Sequence, residues 1–275
     1  MKKLIWTMAL MLVCGMSFAQ APQSQIGGKE VYKGPDIVFH EIDAHTWVGT
    51  AHMMYNESVY LIEGSKKALL IDAGTKIEHL DKIVAGITKK PVMLVATHVH
   101  PDHTGSAIND FPEIWINAAD TVNIPMFMKG YPGKVSYLKD GQVIDLGGRK
   151  INVVFVPGHT PGSTAFIDKT AHYGFSGDAF GSGNLLLSLD FSTLIATCQK
   201  MDKVITKDKL TKLYPGHYNG GNPETPQRIK DMITLSQDIL SGKIKGEVNK
   251  QGMMGLNLIV TKYGVRINYN EKSLK

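Results

Sequence analysis

The chain has 275 residues, of which 43% are hydrophobic and 20% charged, a composition that excludes a disordered segment and suffices for one large domain with a substantial core. Its formal net charge of +5 includes Lys2 and Lys3, and the remaining basic residues are dispersed, which excludes a nucleic-acid footprint. Only two cysteines are present, Cys14 and Cys198, so a disulfide framework is excluded as the source of stability.

Lys2 and Lys3 precede an apolar stretch from Leu4 to Val13, and Ser17-Phe18-Ala19 then offers small residues where a signal peptidase reads. Residues 1–19 are therefore expected to be a cleaved signal, giving a periplasmic or secreted protein with no membrane span in the mature chain. The apolar stretch is shorter than the roughly 20 residues a span requires. A lipoprotein anchored through Cys14 is the alternative, which Val13 fits poorly. Cleavage leaves Cys198 alone, expected to be buried in a helical stretch over 191–206. Residues 20–275 are read as a single domain, with its core over 37–240 and a closing hairpin over 255–270.

Segments 37–42 and 45–49 alternate as strands around a turn at Asp43-Ala44, and a second pair follows at 58–62 and 67–72. Between the pairs lies an unusually apolar connection with His52, Met53, Met54 and Tyr55, a candidate substrate-covering flap. Ile77, Leu80, Ile83, Val84 and Ile87 recur at helical spacing, predicting a helix over 76–90. The run Val92 to Ala96 reads as a buried strand emptying into Thr97-His98-Val99-His100-Pro101-Asp102-His103. Residues 105–111 read helical, 113–116 extended, and 118–128 helical with an interruption at Pro125. Asp140-Gly141-Gln142 is a turn signal between two short strands. Three strands then end alike: 150–156 before Gly158-His159, 171–175 before Gly177-Asp178, and 211–214 before Gly216-His217. Each presents one ligand-type residue from a glycine turn, where open sheets place their sites. Helices are expected around Leu194, Cys198 and Met201 and from Pro223 to Leu240.

Three imidazoles and a carboxylate within six consecutive positions suit metal binding. If the motif stays near-extended, His98, His100 and Asp102 face one way, and the turn at Pro101 lets His103 approach from another. Gathering the strand ends gives His98, His100 and His159 as one set and Asp102, His103 and His217 as another, with Asp178 bridging. Two divalent metal ions are expected, zinc first, although iron and manganese suit the same donors. Such a pair acidifies a shared water toward hydroxide, which Asp102 can orient as the catalytic carboxylate.

These motifs, His98-Val99-His100-Pro101-Asp102-His103, Gly158-His159-Thr160-Pro161-Gly162, Gly177-Asp178 and Gly216-His217, resemble the metallo-β-lactamase-fold hydrolase superfamily, including the ligand set of its glyoxalase-II-like and lactonase-like members. The resemblance covers about residues 37–240 and implies an α+β fold, a four-layer αββα sandwich with metals at one edge. It also implies that Asp72 is a buried residue supporting the ligands. Departures narrow the field. Zinc β-lactamases often carry cysteine where Asp178 stands, glutathione-thioester hydrolases carry an additional helical domain, and quorum-signal lactonases place tyrosine where Gly181 stands. Diiron oxygen-reducing relatives carry glutamate at the position of His100. The expected activity is exported, metal-dependent hydrolysis of an ester, lactone, thioester or amide of a small molecule. The alternatives are a β-lactamase-type amide hydrolase and a non-catalytic metal or ligand carrier. Specificity is assigned to loops 52–56, 129–134 and 179–189, and oligomeric state is left open.

Overall fold

Strands apolar at consecutive positions must be buried on both faces, and that pattern sets the architecture. A computed structural model describes residues 26–275; the signal expected over 1–19, with Cys14, lies outside the described residues. Strands β1 (Glu30–Lys33), β2 (Ile37–Asp43), β3 (Thr46–Ala51), β4 (Ser58–Glu63), β5 (Ala68–Ile71), β6 (Val92–Val95), β7 (Glu113–Ile116) and β8 (Lys134–Tyr137) lie side by side in one eight-stranded sheet. Neighbours are antiparallel through β5 and parallel from β5 to β8.

The second sheet contains β9 (Val143–Asp145), β10 (Lys150–Phe155), β11 (Thr164–Asp168), β12 (Tyr173–Gly177) and, after β13 (Leu185–Leu186), β14 (Lys212–Pro215), in the order β14-β12-β11-β10-β9. A third, four-stranded sheet combines β13 with β15 (Glu247–Val248), β16 (Leu258–Lys262) and β17 (Val265–Tyr269). Helices are α1 (Leu80–Ile87), α2 (Ile124–Phe127), α3 (Phe191–Asp208) and α4 (Pro226–Leu240).

The two large sheets face one another. Tyr60, Ile62, Leu69 and Ile71 from the first meet Ile151, Val153, Phe166 and Phe175 from the second in a buried core. The intervening Val59, Leu61 and Leu70 pack outward on Leu80 and Val84 of α1, while Ala165 and Ile167 pack outward against α3 and α4. Period-two alternation thus builds four layers, helix, sheet, sheet, helix. Cys198 sits wholly buried in the last of these, beside Leu194 and Met201.

Several elements differ from the sequence expectation. The helix predicted over 76–90 shrinks to α1, because His79 adopts a left-handed φ of 56° and the carboxylates of Asp36 and Asp110 accept the N–H groups of Glu78 and Leu80. Residues 118–123 form a 3₁₀ turn instead of α-helix, and Pro125 lies in the first turn of α2, where its missing donor costs nothing. The turn at 140–142 joins β8 and β9, which belong to different sheets, because Leu138 and Ile144 both descend into the core between them. Strand β11, which the sequence reading omits, pairs on both sides with β10 and β12. The two-residue β13, likewise omitted, links the terminal hairpin to the rest by parallel pairing with β17. Helix α4 begins at Pro226, capped by Thr225, because Glu224 instead pairs its backbone with Leu213.

Candidate metal centre

Since β10, β12 and β14 run in the same direction, their C-terminal ends emerge at one edge, and β6 of the facing sheet ends beside them. The loops leaving these four strands gather His98, His100 and His159 into one group and Asp102, His103, Asp178 and His217 into another, each with donor atoms within 4.8 Å of one another. The motif does not continue extended as the alternation argument assumed. Both His103 and Thr104 donate their N–H to the His100 carbonyl, at 3.0 and 2.8 Å, so a tight turn separates the two groups.

In the first group the Nδ1 of His100 lies 3.1 Å from His98 Nε2 and 3.0 Å from His159 Nε2. Nitrogens bound tetrahedrally at zinc distances stand roughly 3.3 Å apart, so this triangle fits one ion. Burial, followed by the neighbouring imidazoles, lowers His98 well below its ordinary value and His100 to about 4. The lone pairs of His98 and His100 are therefore available at neutral pH, as metal binding requires.

The second group combines two carboxylates with two imidazoles. His217 Nε2 lies 3.3 Å from both Asp102 Oδ2 and Asp178 Oδ2, and His103 Nε2 lies 3.7 Å from Asp102 and from Asp178 Oδ1. Burial alone would lower both histidines, but the carboxylates of Asp178 and Asp102 outweigh it and push His217 up to about 10. Asp72, Asp102 and Asp178 likewise raise His103. Burial would raise Asp102 and Asp178, yet the surrounding histidines hold both below the usual carboxylate range. A pocket that retains protons so firmly suits a cation. Buried Nε2 of His103 and Oδ1 of Asp178 have no hydrogen-bond partner, as ligand atoms awaiting an ion would not. Asp178 Oδ2 is also 3.8 Å from His159 Nε2, which places this carboxylate between the groups.

Supporting residues aim the rings. Asp72, itself left-handed at φ 64°, accepts from His103 Nδ1 at 2.8 Å and from the Thr97 N–H and hydroxyl. His98 Nδ1 in turn lies 3.1 Å from that hydroxyl, and His159 Nδ1 donates to the Leu186 carbonyl at 2.8 Å. In each ring the Nδ1 proton is thereby fixed and Nε2 turned to the site. Asp120, which the sequence reading misses, performs a different task. Its fully buried carboxylate accepts from the Val99 N–H, the Gly162 N–H and the Thr160 hydroxyl, clamping the loop of His98 and His100 to that of His159. Burial raises its pKa against those donors. A Cβ on Gly162 would strike this carboxylate, and one on Gly216 would strike Asp178 and His103, so both loops require glycine for close approach.

Above both groups opens a cavity of about 520 Å³, lined on its apolar side by Met54, Tyr55, Phe127, Leu186, Met253 and Met254. Of the flap residues, Met54 and Tyr55 reach it, whereas His52 and Met53 are exposed and stand off it. Buried Glu57 pins the flap's base by accepting the N–H of Met54 at 2.8 Å and of Thr75 at 3.1 Å. Segment 129–134 contributes nothing to the lining; Phe127 takes that side, its ring edge-on to His100 at 5.5 Å. The 179–189 loop does contribute, through Gly181, Ser182, Asn184 and Leu186. No signal in the sequence singles out Met253 and Met254, which reach the cavity from the connection between β15 and β16.

Residues 54–217 match the family model of the metallo-beta-lactamase superfamily. The chain is 27% identical over 203 residues to the human acyl-coenzyme A thioesterase MBLAC2, covering 59% of this chain and 73% of that protein. It is 28% identical over 155 residues to the hydroxyacylglutathione hydrolase GloC of Haemophilus influenzae, covering 49% and 73% respectively. Among solved structures, a metallo-beta-lactamase from Pontibacter korlensis superposes with a TM-score of 0.58 at 20% identity, over 74% of this chain and 99% of that one.

Proposed function

This chain belongs to the metallo-beta-lactamase superfamily as one of its hydrolases, and we propose that it is an exported enzyme whose dinuclear zinc centre cleaves an ester, thioester, lactone or amide bond of a small molecule. The observation that carries this reading is the placing of Asp178 between two ligand groups that open into one cavity. His98, His100 and His159 would hold one ion, Asp102, His103 and His217 the other, and Asp178 both. Two such ions, when bound, supply Lewis acidity toward the acyl oxygen and bring the pKa of water toward neutrality.

The chain's own residues do the rest. Asp102 borders the cavity and stays ionised, so it accepts a hydrogen bond from the attacking water and orients it. Phe127 and Leu186 exclude bulk water beside His100 and His159, and Asp72 and Asp120 keep the ligands aligned. Relatives named for acyl-coenzyme A thioesterase and hydroxyacylglutathione hydrolase activity support acyl transfer to water as the reaction. Export is supported by the lysine pair, apolar run and small residues of positions 2–19. Zinc is preferred because imidazole nitrogen and carboxylate oxygen are both among its usual ligands.

Metal content and turnover of aryl ester, thioester, lactone and cephalosporin substrates, with and without chelator, test this reading. Two metals per chain and chelator-sensitive turnover are expected. Fewer than about one metal per chain after zinc loading overturns the dinuclear centre, and turnover indifferent to chelator overturns metal-dependent hydrolysis. Amino-terminal sequencing of the exported product, expected to begin at Gln20, tests the signal.

A further inference from the structure

The cavity above the ligands has an uneven chemistry. Among the described residues no lysine or arginine lines it, so away from the metal ligands a substituent carrying negative charge would meet no cationic side chain. Its apolar wall instead comes from four methionine and tyrosine side chains on two separate segments, Met54 and Tyr55 on one and Met253 and Met254 on the other, with Phe127 and Leu186 at the base.

Tyr55, Met253 and Met254 are 73%, 49% and 56% exposed, unusual for large apolar residues held on ordered turns. Tyr55 and Met254 adopt left-handed φ values of 57° and 56°, strained for residues of their size. Both turns are nonetheless anchored. Glu57 fixes the first; in the second, Asn249 donates to Asn268, which donates to Asn184 on the neighbouring cavity loop, at 2.9 and 2.7 Å. Buried Leu256 holds the other end of that turn and leaves the methionines turned to the cavity. Segment 252–255 also lies outside the 54–217 family match. Thioether chains are flexible and polarizable, and they adapt to a flexible apolar guest better than a rigid wall does.

We propose that this cavity seats the linear apolar acyl group of an uncharged ester or thioester, with Met54, Tyr55, Met253 and Met254 closing around it. The inference rests on the hydrolase reading above and names its substrate class. Water oxygen adds to the acyl carbon, the carbon–oxygen or carbon–sulfur bond breaks, the leaving alcohol or thiol takes one proton, and the acid product releases the other.

The test is a series of aryl esters and matching thioesters from acetyl to decanoyl, run on the metal-loaded protein, with calorimetric binding of decanol in parallel. The expected kcat/KM rises about fourfold per methylene until the cavity fills, the equivalent of about 0.8 kcal/mol for each buried CH₂. Met254→Ser should lower the decanoyl-to-acetyl ratio at least tenfold and weaken decanol binding, while Met254→Leu keeps both; the exposure of Met254 makes either variant compatible with folding. An acyl chain ending in a carboxylate should fall at least a hundredfold below its uncharged counterpart. Turnover that is flat along the series, or equal for the charged chain, overturns the acyl pocket and leaves the hydrolase. Turnover of a lactone or cephalosporin but of no ester or thioester overturns the substrate class and leaves the hydrolase. If none of these is turned over with metal bound, the hydrolase reading fails, and decanol binding alone decides the pocket: binding weakened by Met254→Ser supports it, and no binding overturns it.

Discussion

The two ligand groups stand side by side yet differ in kind. His98, His100 and His159 form a triangle of imidazoles without a carboxylate, in which burial and the neighbouring rings disfavour protonation of His98 and His100. Asp102, His103, Asp178 and His217 form a charged set in which carboxylates hold protons on imidazoles. Their supports differ in parallel: Asp120 clamps the backbone of the loops that carry the all-histidine group, whereas Asp72 hydrogen-bonds directly to a ring of the charged group. Within one cleft, then, one half offers a cation imidazole lone pairs, and the other offers carboxylates whose imidazole partners must first release protons. Asp178 couples the halves.

The largest effect is expected where that coupling is cut. Asp178→Ala should empty both positions and lower turnover at least about 10³-fold, measured by metal analysis beside kinetics; loss of metal from one group only would separate the two halves. Replacing the supports should reveal the asymmetry directly. Asp72→Asn is expected to weaken metal affinity at the charged group by about 10- to 100-fold. Asp120→Asn should weaken the all-histidine group instead and cost about 2 kcal/mol of stability, because one of three donors to a buried carboxylate loses its acceptor. Competitive chelator titration of each variant checks which position is affected, and identical patterns would erase the distinction.

A subtler contrast concerns pH. In metal-free protein His217, raised to about 10, contributes stability that is complete below the ordinary histidine value and is lost as pH rises through 10. His100, depressed to about 4, contributes stability present above its ordinary value and lost as pH falls through 4. Denaturant midpoints of the metal-free protein should therefore peak near neutrality and fall on both sides, with imidazole NMR assigning the alkaline limb to His217 and the acid limb to His100. Both limbs on one residue would break the comparison. The smallest effect belongs to His52→Ala, expected to leave kcat/KM within about twofold because this side chain stands off the cavity.

How much of this could be read from the chain alone depends on distance. The residues His98 to His103 announce themselves by density, and His159, Asp178 and His217 by their glycine turns at strand ends, since ligand chemistry and turn chemistry are local properties. The helix over 76–90 was overstated because hydrophobic periodicity does not register the competing side-chain bonds from Asp36 and Asp110. Strand β11 follows directly on the Gly162 turn and carries no separate signal of its own.

Residue types at short spacing determined the donor set and the expectation of metal chemistry, because these follow from what imidazoles and carboxylates can bind, and the layered α+β class was implied by the family resemblance those motifs carry. Tertiary structure alone decided that Asp120 ties two loops distant in sequence and that Met253 and Met254 complete a cavity begun by Met54. Those are relations between residues far apart along the chain. Only the packing of the sheets brings them within a few ångströms, and no local pattern encodes the approach.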